Sequence, residues 1–167
     1  MKTKTKTNQS VLALYPSCYG LGYALFDSPD HLVAFGIGAT YPIKSTKTLK
    51  RVKEYINYFK PDIIIMRRLA PWRIKVGKRM QEIIYLISNV AEEAGLKTHQ
   101  YTREEIRGVF VNFGVETKFQ ITKKLLSWFP RLEKYAHPKR KEWMSEHHYA
   151  GVFDAVALGM THFYTEK

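Results

Sequence analysis

Apolar residues follow the two-residue period of strands up to about Thr40, and the helical period takes over after Ser45. The stretch "VLALYPSCYGLGYALFD", Val11 to Asp27, predicts a short strand Val11–Leu14 ending at Tyr15. A turn using Gly20 and Gly22 follows, then a second strand Tyr23–Phe26. Ser28-Pro-Asp30 is another turn, and Leu32–Thr40 alternates as a third strand. Three consecutive strands joined by tight turns imply an antiparallel meander.

Ser45-Thr46 offers an N-cap to a helix carrying Leu49, Val52, Tyr55, Ile56 and Phe59. Pro61-Asp62 ends it and opens Ile63–Met66, an apolar run of the kind buried on both faces of a sheet. A basic connector, "RRLAPWRIKVGKR", leads into a helix with Met80, Ile83, Ile84, Ile87 and Val90 on one face, ending at Gly95. Leu96–Tyr101 reads as a fifth strand, and Thr102-Arg-Glu-Glu105 as a capping box that starts a helix. Further helices cover Lys118–Trp128 and Ala150–Tyr164, separated by a loop, "HPKRKEWMSEHH". The pattern gives an α/β fold with a mixed five-stranded sheet, three antiparallel strands and two parallel ones, and right-handed crossovers.

Charge then sharpens the picture. Lys and Arg number 27 against 15 Asp and Glu, a net charge of +12 over 167 residues. Such an excess favours a polyanionic partner, most often nucleic acid, because neutralising phosphates releases counterions. Residues 1–10, MKTKTKTNQS, read as a basic flexible tail, and 11–167 as a single domain. Cys18 is the only cysteine, which excludes an internal disulfide and fits a reducing, cytoplasmic setting. The longest apolar runs are too short to span a bilayer, so no membrane partner is expected.

Three segments in register resemble one family. "VLALYPSCYGLGYALF" is similar to the first hairpin of RuvC-like proteins, the Holliday junction resolvase branch of the ribonuclease H-like superfamily. "PDIIIMRR" resembles the fourth strand of that family, and "FDAVALGMTH" its closing helix. The resemblance implies a ribonuclease H-like fold with helices on both faces of the sheet. It also implies a chemistry in which carboxylates from separate elements hold two divalent cations. On this sequence the first-strand Asp of the family falls on Tyr15. The fourth-strand Glu falls on Arg67, or on Met66 or Arg68 if the register shifts by one. The closing-helix Asp is kept as Asp154, and the remaining acid normally lies shortly before it, where Glu146, His147, His148 and Gly151 stand.

The resemblance therefore implies a degenerate site. A phenol titrating near pH 10 is a poor Mg²⁺ ligand, and an Arg at a metal position repels the ion and can pair with Asp154 instead. No cofactor is expected, and Mg²⁺ or Mn²⁺ only if Asp154 and Glu146 form an atypical catalytic site. Asp154 otherwise caps or salt-bridges at the start of the last helix, and His147-His148 reads as a solvated pair.

Nucleic-acid-binding candidates are Arg67, Arg68, Trp72, Arg73, Lys75, Lys78 and Arg79, cations interleaved with an aromatic, and Lys139, Arg140 and Lys141 beside Trp143. The first group can equally be a solvated connector with Trp72 plugging the core. Lys44, Lys47, Lys50, Arg51 and Lys53 read as a solvated face. Three functions remain open: a nucleic-acid binder, for structured or branched substrates, that has lost two-metal nuclease activity; an atypical metal-dependent endonuclease; and a non-catalytic assembly subunit. A homodimer or a protein partner stays open with them.

Overall fold

The computed structural model describes residues 9–38, 43–69, 77–137 and 149–166. Five strands form one sheet: β1 (Val11–Ser17), β2 (Gly20–Ser28), β3 (His31–Gly38), β4 (Ile63–Arg67) and β5 (Lys97–Tyr101). Their spatial order is β3-β2-β1-β4-β5. β1–β2 and β2–β3 are antiparallel, and β1–β4 and β4–β5 are parallel, so the meander and the two crossovers are as the pattern implied. The helices are α1 (Ser45–Phe59), α2 (Lys78–Glu93), α3 (Arg103–Val111), α4 (Lys118–Trp128) and α5 (Ala150–Thr165), with a 3₁₀ turn at Pro130–Tyr135.

The pleat sorts the central strands into two cores. Leu12, Leu14, Ile64 and Met66 point to one face and pack with Val52 of α1 and Met80, Ile83 and Ile87 of α2. Ala13, Tyr15, Ile63 and Ile65 point to the other and meet α3, α4 and the buried α5. α5 is apolar nearly all round because it lies between the sheet and α3 and α4, not at the surface.

Small residues allow that position. Gly22 of β2 sits so close to Gly151 of α5 that a Cβ on Gly22 would collide with the Gly151 carbonyl. Gly22 is also the register partner of Tyr15, so this backbone contact sets the start of α5 beside the end of β1.

Local details depart from the expectations. β1 runs on to Ser17, beyond the predicted end at Leu14–Tyr15. Pro16 is tolerated because β4 pairs with β1 only as far as Leu14↔Met66, leaving that edge free. The α1 N-cap is Lys44, with no side-chain cap, and Ser45 is already helical. Thr102 does accept from the Glu105 N–H (3.2 Å), but Glu105 closes no box because its carboxylate holds Arg68 at 2.9 Å. A complete capping box exists at Thr117–Gln120 instead. The third strand was expected to reach Thr40, which lies outside the described residues.

Candidate functional site

In a parallel ladder, residues one step past a paired couple project together to the opposite face. Leu14 and Met66 are paired and face the α1–α2 core. Tyr15 and Arg67, one residue on, therefore both face α5. The Arg67 guanidinium carbon lies 4.3 Å from the centre of the Tyr15 ring, and its Nη1 donates to the Pro16 carbonyl at 2.7 Å. Of the three registers open to the fourth-strand acid, Arg67 is the one that shares the Tyr15 face. Met66 is fully buried on the other side, and Arg68 pairs with Glu105.

Asp154 lies in the second turn of α5, not at its N-cap, which is Tyr149. Its carboxylate meets Lys118 Nζ, from the first residue of α4, at 3.3 Å. The sequence suggested that Arg67 could take that role. The structure gives it to Lys118, because Arg67 is held over the Tyr15 ring and by the Pro16 carbonyl.

Arg103, in the first turn of α3, completes the group. Tyr15, Arg103, Arg107, Lys118, Phe153 and Asp154 line a small cavity of about 40 Å³ at the ends of β1 and β4. Burial raises the pKa of the Tyr15 phenol, and Asp154 adds to the rise against the opposing pull of Arg67 and Arg103. Tyr15 is thus a neutral phenol at neutral pH. Burial disfavours the charge on Arg103, but Tyr15 and Asp154 outweigh it and raise its pKa, so the guanidinium stays charged.

Arg103, Arg107 and Lys118 did not stand out in the sequence. A signal was available: Arg103 and Lys118 are cations in the first turns of helices, where the macrodipole disfavours positive charge. Lys78 and Arg79 are exposed at the first turn of α2, the same electrostatic situation. α3 starts directly after the C-terminal end of β5, and Lys118 of α4 lines the same cavity as Arg103 and Tyr15, so these two helix starts lie at that end of the sheet.

Trp72, Arg73, Lys75, Lys139, Arg140, Lys141, Glu146, His147 and His148 lie outside the described residues. Lys44, Lys47, Lys50, Arg51 and Lys53 are exposed around α1, the solvated face expected of them. Among the described residues no helix is long and apolar enough to cross a membrane.

Mg²⁺ prefers several oxygen donors, usually including more than one carboxylate. Among the described residues, the cavity's one carboxylate is ion-paired, a neutral phenol stands beside it, and cations surround both. This donor set does not suit a pair of divalent ions.

The sequence matches no family model, and no curated protein matches it. Solved structures do match. Thermus thermophilus RuvC in complex with a Holliday junction substrate aligns with TM-score 0.67 and 17% identity, covering 94% of each chain. The yeast mitochondrial Holliday junction resolvase Ydc2 aligns with TM-score 0.57 and 11% identity, over 92% of this chain and 78% of that one. Fowlpox virus resolvase, solved with Holliday junction DNA, aligns with TM-score 0.55 and 13% identity, over 93% of this chain and 99% of that one. The strand order, the two-sided helix layers and these alignments agree on one architecture, and the chain has the RuvC-like form of the ribonuclease H-like fold.

Proposed function

We propose that this protein binds nucleic acid, branched DNA in the first instance, and has lost two-metal hydrolysis. The observation that carries the reading is the charge at the ends of β1 and β4. Arg67 stacks on Tyr15, and Asp154 is neutralised by Lys118, in a cavity also lined by Arg103 and Arg107. A site of this sign attracts a phosphate directly, where a carboxylate cluster would need metal ions to do so.

Lys78, Arg79 and Arg68 extend the positive surface. The Arg68–Glu105 pair is exposed, and such pairs contribute little, so Arg68 can exchange Glu105 for a phosphate at small cost. Arg73, Lys75, Lys139, Arg140, Lys141 and a stacking Trp72 belong to the same proposed surface. Solved proteins of this fold were captured with Holliday junction DNA, which favours a branched ligand over a plain duplex. A cytoplasmic location is proposed with this reading.

Titration of the full chain against labelled four-way junction, duplex and single strand, over a range of salt, tests the proposal. Junction binding that weakens steeply with salt and exceeds duplex binding supports it. Binding that is weak at low salt for all three ligands contradicts it and moves attention to a protein partner.

A further inference from the structure

A second cluster sits at the other end of the sheet, where β4 and β5 begin and α5 ends. His99 of β5, His162 of α5 and Glu166 at the α5 C-cap each offer one ligand atom, and these atoms all lie within 4.8 Å of one another. We propose that His99, His162 and Glu166 form a binding site for a divalent transition metal of borderline softness, zinc foremost.

The donor chemistry supports that class. Two imidazoles and one carboxylate suit Zn²⁺, whereas Mg²⁺ and Ca²⁺ want oxygen donors. His162 is only 5% exposed, and its Nδ1 lies 3.0 Å from the Tyr101 hydroxyl. With Nδ1 engaged, Nε2 is the nitrogen left for the metal, the outer-shell arrangement usual for ligating histidines. The His99 and His162 rings are 5.0 Å apart between centroids, close enough for one ion to bridge them.

The cluster lines a cavity of about 530 Å³ that also touches Val11, Asp27, Ile63 and Lys97. Lys97 opposes a cation there, and Asp27 is held by His31 at 2.7 Å, so three residues supply the ligands. Three protein donors would leave a fourth tetrahedral position for water or a small anion. Since β5 and the end of α5 come from distant parts of the chain, a bound ion would pin the two together and stabilise the fold.

The test is calorimetric titration of the full-length protein with Zn²⁺ alone, with Co²⁺ absorption to report coordination geometry. One saturable site and an intense tetrahedral Co²⁺ band are expected, and zinc should raise the melting temperature. His99→Ala and Glu166→Gln, at partly or fully exposed positions, should abolish or strongly weaken binding while remaining folded by circular dichroism. Tyr101→Phe should weaken it by roughly ten- to a hundredfold, as loss of an outer-shell partner does. Absence of saturable binding at millimolar zinc, or binding indifferent to His99→Ala, would overturn the assignment.

Discussion

The Arg67 guanidinium carbon lies 4.3 Å from the centre of the Tyr15 ring, at the adjoining ends of two parallel strands. The stack joins a half-buried cation to a ring that is 3% exposed, and among the described residues no carboxylate is ion-paired with Arg67. A cation over a tyrosine face contributes about 0.5–2 kcal/mol, the upper part applying where both are dry. Arg67→Ala should therefore destabilise the protein by about 1 kcal/mol in chemical denaturation, with the fold intact. Arg67→Lys should recover only part of that, because the ammonium cannot both cover the ring and bond the Pro16 carbonyl as a planar fork does.

Lys118 and Asp154 should affect junction binding in opposite directions. Lys118→Ala removes a cation and leaves Asp154 to repel phosphate. Affinity should fall, and the slope of log affinity against log salt should lessen by about one. Asp154→Asn deletes the negative charge beside Lys118, so affinity should rise. Binding that falls in Asp154→Asn would mean that this carboxylate serves the ligand directly. Filter binding over a salt series reads both.

The buried phenols make stability sensitive to alkali. Tyr15 has its pKa raised mainly by burial, and burial together with Glu166 and Glu105 pushes Tyr101 up to about 12. The folded state prefers these phenols protonated. Their contribution is complete below about pH 10, where the unfolded chain would also keep them neutral, and is lost as pH rises from about 10 toward about 12. Denaturation midpoints should fall over that window. Ultraviolet titration should show a set of tyrosines ionising only with unfolding.

Two glycines should respond oppositely to the same change, one at the close approach of α5 to β2 and one in open space on α3. Gly22→Ala drives a methyl into the Gly151 carbonyl and should cost about 1–3 kcal/mol, as overpacking does. Gly108 lies inside α3, with open space where a methyl would stand. Gly108→Ala should stabilise by about 0.4–1 kcal/mol through the unfolded chain. Thermal melts of the two variants test the geometry.

The elements legible in the sequence were those whose signals are local. The two-residue period from Val11 and the apolar run at Ile63 marked the strands, while the matched segments left Arg67, Met66 and Arg68 open opposite Tyr15 until the parallel ladder selected Arg67. What escaped depended on distant partners. Lys118 reaches Asp154 across 36 residues, and Arg68 takes Glu105 across 37, which undoes the capping box that Thr102 and Glu105 spell out locally. β1 outran its expected end because Pro16 reads as a breaker, and only the sheet shows that β4 stops short of it. The Thr117–Gln120 box is a local signal too, immediately before the Lys118 at which the helical pattern begins.

His99 and Glu166 carried no signal at all. They are separated by most of the second half of the chain, and only the parallel pairing of β5 with β4 brings the strand alongside the end of α5. Asp154 had a signal whose meaning was open, a cation ligand, a cap or a salt bridge; it stands past the N-cap and is ion-paired with Lys118.

A site at Tyr15 and Arg67 that holds nucleic acid without cutting it should be visible in a single experiment. Saturating protein is incubated with labelled four-way junction in Mg²⁺ and in Mn²⁺, and bound and cleaved DNA are separated on parallel native and denaturing gels. A fully shifted junction whose strands stay intact in both metals is expected. Symmetrical, metal-dependent cleavage that disappears in Asp154→Asn would refute the loss of hydrolysis, and would make Asp154 the anchor of a working nuclease.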